Sequence, residues 1–400
     1  MGRDTRSPPR LWNLIAISAI GPMALNIFFP SMPGMMTVFD TDYATVQLAL
    51  TLYLASLATA QLFVGPMADR WGRRPVALWG MVLCMVGTVV CIFAPSIQIL
   101  ILGRVIQAIG ACTGIVMSRT IIRDMHGLDK AASMMGYVTM VMVIAPMFSP
   151  SIGGFLDQAF GWQAGFVFVL ICIILVLGAS VSLLGETHTG TYQAEGIGQM
   201  FVGFVKLLKM PAFNRHAFQI SFSSGAFFAF LGGAPYVSIQ LMGISAAEYG
   251  LYFMAGGLGY MAGNFLTGRM SERWGAEKLI TFGTLMGLLG GVELVIAYMS
   301  GNFNPQTLFG GMALIAFGNG LCLPSGTAGA VSADRDLTGT AAGLAGFMQM
   351  ATGAGTSYLV GILLSDTAAP LVIVMAASVA AAFLLNIVSL KLARPHQELH

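Results

Sequence analysis

Twice in this chain a short charged hinge interrupts apolar sequence, and both times with the same pattern. The first is Gly65-Pro66-Met67-Ala68-Asp69-Arg70-Trp71-Gly72-Arg73-Arg74-Pro75 and the second, weaker, is Gly268-Arg269-Met270-Ser271-Glu272-Arg273-Trp274-Gly275. Each sets an acid and an arginine ahead of a glycine, and each lies between two long apolar runs. One loop written twice in corresponding places implies two homologous halves. Any fold for this chain has to be a duplication.

The sequence around the hinges says what those halves are made of. Of 400 residues 56% are hydrophobic and only 9% charged, against about 25% charged in soluble proteins, so most of the surface faces lipid. A spanning helix needs about 20 mainly apolar residues, and by that rule the chain divides into twelve runs, the first near 12–34 and the last near 369–391. The expected fold is an all-α membrane protein of twelve transmembrane helices in two six-helix bundles. Residues 1–185 form one bundle and 214–400 the other, with a cytoplasmic connection at 186–213. In that connection Phe201, Phe204, Val205 and Leu208 share a helical face beside Lys206 and Lys209, which reads as an amphipathic helix lying on the membrane surface.

The 19 Lys and Arg residues set the orientation. Every one but Arg104 falls on a single side of the membrane, so both termini are expected in the cytoplasm by the positive-inside rule. The basic start, Met1 to Arg10, leads into a run longer than a signal-peptide core, and no cleaved peptide is expected. A net charge of +2 offers nothing to nucleic acid. The five cysteines lie inside apolar runs and read as small buried hydrophobes. The histidines (His126, His188, His216, His396, His400) sit in loops, near helix ends or in the tail. No clustered nucleophile, base or ligand set stands in the membrane, so an enzyme, a metal or a cofactor is not expected.

Four polar residues inside the runs bear on function. Arg104, six residues into the fourth run, is an intramembrane charge and by default a functional residue; otherwise it snorkels to the interface. Gln107 is three residues on and shares its face. Asn26, at the end of the first run, can hydrogen-bond a substrate but cannot carry a proton; its other reading is helix packing. Glu293 is the only carboxylate well inside a run. It is either a proton carrier or a peripheral residue near the outer interface.

The first hinge, Gly-x-x-x-Asp-Arg-x-Gly-Arg-Arg, resembles the loop signature of the major facilitator superfamily, the twelve-helix secondary transporters. Three further stretches resemble the Bcr/CflA-type drug:proton antiporters of that superfamily. They are Phe28-Phe29-Pro30-Ser31-Met32-Pro33, Arg104-x-x-Gln107 before Gly110, and Pro146-Met147-Phe148-Ser149-Pro150-Ser151-Ile152-Gly153-Gly154. The resemblance implies alternating access between two bundles in a bacterial inner membrane, with export of hydrophobic antibiotics against proton entry. It also implies a cytoplasmic gate built from Gly65, Asp69, Arg70, Gly72, Arg73 and Arg74, in which the arginines tie the Asp69 carboxylate to neighbouring helix ends. Glu272 and Arg273 repeat that gate in the second half. Positive-inside anchoring is the plainer account of those arginines.

Pro146, Pro150, Gly153 and Gly154 would bend the fifth helix against the eighth at the outer gate. Arg104 would assist proton coupling, together with Glu293 or Asn26. Asn26, Phe29, Tyr53, Tyr137, Phe230 and Tyr236 would line the substrate cavity. The partners implied are a small hydrophobic substrate, protons and the lipid bilayer, and one chain holding both halves is expected to act as a monomer. The family usually has an acid where this chain has Asn26. An uncoupled facilitator or an exporter of a cellular metabolite therefore stays open beside the antiporter.

Overall fold

The computed structural model describes residues 10–125, 128–187, 197–334 and 337–393. Among these residues the secondary structure is helical. In lipid a backbone has no water to bond, so each spanning segment must satisfy its own polar groups.

The chain forms two compact units, Met1–Ile197 and Gly198–His400. The first contains α1 (Leu11–Asn26), a 3-10 turn (Phe29–Ser31), α2 (Met32–Val38), α3 (Tyr43–Trp71), α4 (Arg73–Ile92), α5 (Ile97–Met125), α6 (Leu128–Phe160) and α7 (Gln163–Leu183). The second follows the short helix α8 (Ile197–Leu208) with α9 (Pro211–Tyr236) and a π turn (Val237–Leu241). It continues through α10 (Ala246–Trp274), α11 (Ala276–Met299), α12 (Pro305–Val331), α13 (Thr338–Leu363) and α14 (Ala369–Ala393). Taking α1 through α2 as one stretch, twelve long helical stretches result. Nine of them, among the described residues, are apolar and long enough to cross a membrane; α6, α10 and α13 are the other three.

The ends are written locally. Asp42 caps α3 by accepting from the Thr45 amide at 2.9 Å, Ser245 and Glu248 form a capping box on α10, and Pro211 and Pro305 open α9 and α12 at the position where a missing N–H does no harm. The two hinges turn on Gly72 (φ +95°) and Gly275 (φ +76°), backbone conformations that a side chain resists.

The same packing scheme occurs in both units. In the first, α5 packs on α4, α3 and α1, α1 on α6 and α7, and α4 on α7. In the second, α12 packs on α11, α10 and α9, α9 on α13 and α14, and α11 on α14. Glycines set the closest pairs. A Cβ on Gly87 or Gly110 would strike the backbone of the facing α5 or α4, and one on Gly290 or Gly318 would strike the backbone of α12 or α11. Such contacts are how membrane helices associate when no water is squeezed out between them. The glycines also fix a register: Gly103-Arg104-Val105-Ile106-Gln107-Ala108-Ile109-Gly110 on α5 corresponds to Gly311-Met312-Ala313-Leu314-Ile315-Ala316-Phe317-Gly318 on α12. Met312 stands at the place of Arg104, and Ile315 at the place of Gln107.

Helix α8 belongs to the second unit. Phe204 and Leu207 are buried, Gly203 lies against Thr340, and Lys206 reaches Asp334 at 2.6 Å. Val202, Val205 and Leu208 are exposed. The apolar face expected from Phe204, Val205 and Leu208 is thus divided, because the helix packs on one side and keeps a second apolar side outward. The Phe201 side chain lies outside the described residues.

Candidate functional site

Arg104 is the largest fully buried side chain among the described residues, at 0% exposure. It does not snorkel. Its Nη1 donates to the Ala24 carbonyl at 2.9 Å and to Gln107 Oε1 at 2.6 Å. Ala24 is in the last turn of α1, where carbonyls lack helical partners and the helix dipole is negative. Gln107 in turn donates to Thr88 Oγ1 at 2.8 Å, and Thr88 to the Cys84 carbonyl at 2.7 Å. The guanidinium carbon lies 4.2 Å from the ring centre of Tyr53, 4.7 Å from Phe28 and 6.0 Å from Phe166. Arg104 forms no ion pair among the described residues, and its Nε and Nη2 have no hydrogen-bond partner there. A dipole and three ring faces therefore stand in for a counter-ion.

Of the expected cavity set, Tyr53 lies against this group. Tyr53 is fully buried and its hydroxyl donates to the Gly21 carbonyl at 3.3 Å. Phe29 is fully buried in the turn after α1. Asn26 is 3% exposed; its amide nitrogen donates to its own helix at the Pro22 carbonyl, 2.7 Å away, and its Oδ1 has no partner among the described residues. The side chain of Tyr137 lies outside the described residues. In the second unit, Phe230 is buried in an aromatic cluster, 5.5 Å from Phe309 and 6.1 Å from Phe253, and Tyr236 ends α9 partly buried. Glu293 sits on α11 beside Gly310 of α12, among the exposed Val292, Val295 and Ile296. That is the outer face of its own unit, the peripheral reading of that residue.

The hinge arginines have partners on two neighbouring helices. Arg73 Nε donates to Asp124 at the end of α5 at 3.0 Å. Arg74 donates to the Leu184 carbonyl at 2.7 Å and to Val181 at 2.9 Å, where α7 ends. An acid at long range also joins the hinge: the Glu186 carboxylate accepts the amides of Arg73 and Arg74 at 2.9 and 3.2 Å and so caps α4. A Cβ on Gly72 would collide with that carboxylate. Arg70 is exposed and stacks over Trp71, and Gly65 has open space around it. The side chains of Asp69 and Glu272 lie outside the described residues, and Arg273 is exposed in the last turn of α10. Glu186 was not legible as a hinge residue because it lies more than a hundred positions from α4. Glu186→Ala is expected to cost about 1 kcal/mol, an exposed helix cap, seen as a fall of about 2–4 °C in the thermal midpoint; an unchanged midpoint refutes the cap.

Pro146 and Pro150 lie within α6, which stays helical through both. Ser149 bonds back to the Ala145 carbonyl at 2.5 Å. Gly153 meets the Ile27 carbonyl just past α1, so close that a Cβ would overlap it, and Gly154 is buried beside it. The small residues of α6 thus serve contact with α1.

Residues 14–357 match the model of the Major Facilitator Superfamily. The chain is 28% identical to a bicyclomycin resistance protein homolog of Haemophilus influenzae over 367 residues, 91% of each chain. It is 28% identical to multidrug resistance protein D of Escherichia coli over 336 residues, 84% of each. A crystal structure of the peptide transporter POT in complex with sulfate superposes with TM-score 0.78 at 15% identity, covering 97% of this chain and 95% of that one, a likeness of fold alone. With paired hinges, paired packing schemes and a family model matched over most of its length, the chain belongs to the Major Facilitator Superfamily, and is a multi-pass membrane transporter.

Proposed function

We propose that the chain exports small hydrophobic antibiotics, of the chloramphenicol or bicyclomycin kind, by alternating access, and that proton entry drives the export. The observation that carries this reading is the buried Arg104 group on α5. A charge held in a dry, ring-lined interior is expensive to keep, and such residues mark substrate or ion pathways in membrane proteins. The names of the relatives, resistance proteins for bicyclomycin and for multiple drugs, supply the substrate class. Asn26, Phe29, Tyr53, Tyr137, Phe230 and Tyr236 are the side chains we assign to substrate contact. The hinge residues, Asp69 and Glu272 among them, are assigned to gating.

A second reading keeps the fold and drops the proton. Asn26 favours it, because an amide does not take up and release a proton as a carboxyl does, and among the described residues Glu293 is the only acid well inside a helix. Proton release from the purified protein on adding chloramphenicol separates the two. Release by the parent that disappears in Glu293→Gln is expected for antiport with its carrier on α11. Drug binding without release, with release appearing in Asn26→Asp, establishes the uncoupled form. No drug binding by any variant removes the antibiotic reading.

A further inference from the structure

Of the two edges of the Arg104 guanidinium, one is spent. Nη1 gives its hydrogens to Ala24 and Gln107, while Nε and Nη2, which lie along the same side of the planar fork, have no acceptor among the described residues. Those two N–H groups point in parallel and match the two oxygens of one carboxylate. We infer that this edge is a carboxylate site and that the preferred substrate is a small organic monoanion with an apolar body. The inference rests on the reading that the Arg104 group lies on the transport path.

Three further observations point to this charge class. The guanidinium has no exposed surface, so a partner of opposite charge meets no competition from water and repays a desolvation already suffered. At the end of α1 this chain has Asn26 rather than an acid, and Asp157, the partly buried acid of the neighbouring α6, is bonded to Ser31, so no acid among the described residues occupies the edge. Of the other described Lys and Arg side chains of the first unit, Arg10, Arg70, Arg73 and Arg74 stand at helix ends, and Arg119, inside α5, is fifteen residues along that helix from Arg104, about 22 Å at 1.5 Å per residue. One cation suits one negative charge, and a phosphate or sulfate dianion would lack its second partner. The same isolated positive charge repels lipophilic cations, so the site selects by exclusion as well as by attraction. Because the rings of Phe28 and Tyr53 enclose the guanidinium, the carboxylate reaches it when they move aside, as the site of a transporter must open.

The test is equilibrium binding by the purified full chain of three probes with one body and different charge: naphthaleneacetate, naphthaleneacetamide and naphthylethylamine. At neutral pH the acetate is expected to bind about tenfold tighter than the amide, the gain of charge-assisted over neutral hydrogen bonding, and the amine not at all. Arg104→Lys keeps the charge and loses the fork, so its preference for the acetate shrinks. Arg104→Gln binds acetate and amide alike. Amide or amine binding as tightly as acetate, a preference that survives Arg104→Gln, binding of none of the three, or protection against unfolding by chloride alone each overturns the inference. Should Arg104→Gln not fold, the parent series and Arg104→Lys decide. Chloramphenicol export by cells without any charge preference sinks the inference and leaves the efflux reading intact. A charge preference without drug export does the reverse.

Discussion

Gly110→Leu is expected to leave almost no folded protein, and Gly318→Leu to do the same from the other half. At Gly110 the first carbon of a side chain would overlap the backbone of Cys84 and Gly80, and at Gly318 that of Gly283 and Gly287. Backbone in the middle of a packed helix cannot step aside as a flexible side chain can. Overpacking of an ordinary core costs about 1–3 kcal/mol, and these sites have less room to relax. Membrane helices also lack a hydrophobic force that would hold a loosened pair together. Gly34 and Gly355 are the controls, since nothing stands within 4 Å of an added Cβ at either. Ala there is expected to match or exceed the parent by up to about 1 kcal/mol, the helix-propensity gain. The measurement is the monodisperse yield and thermal midpoint in one detergent. A Gly110→Leu protein with the parent's midpoint would show that α4 and α5 do not depend on this contact.

Arg104→Met is expected to abolish transport while leaving the stability of the fold close to the parent's. Several kcal/mol are spent in taking a guanidinium out of water. Two hydrogen bonds on one nitrogen return about 1.5–3 kcal/mol each, and the ring contacts return about 2 kcal/mol when desolvated. Nothing among the described residues repays the second edge. The molecule itself supplies the comparison, for Met312 fills the corresponding place on α12, buried at 1%, with Ile315 for Gln107, in the same packing scheme. A thermal midpoint within a few degrees of the parent's, together with lost drug export from cells, is the expected pair of results. A large fall in the midpoint would make Arg104 a residue of the fold rather than of transport.

Much of this architecture can be read from composition and order, because spanning helices are local objects. The twelve apolar runs, the paired hinges and the prolines that end the first helix all depend on residues close in sequence. Helix limits were less legible. Helix α3 continues to Trp71, past the apolar run, and stops where Gly72 takes a positive φ. What the sequence conceals is pairing at long range. Arg73 finds Asp124, and the amides after Gly72 find Glu186, through folding and not through spacing. The face of a helix is intermediate: Val292, Val295 and Ile296 around Glu293 hint at an outward stripe, but only packing against α12 shows which side of the helix it is. For Arg104 the motif marked the residue, and its two unequal edges needed coordinates.

That inequality has an electrical consequence. With no acid among the described residues paired with Arg104, a carrier holding a monoanion is neutral at that depth of the membrane, and the unloaded carrier is positive. The membrane potential then exerts no pull on the loaded step and acts on the return of the unloaded one, by as much as about 2.3 kcal/mol per 100 mV if the charge crossed the whole field. A negative interior draws the unloaded form back toward the cytoplasm. Voltage alone would then reset the cycle, which gives a chain with Asn26 in place of an acid a source of work that requires no proton.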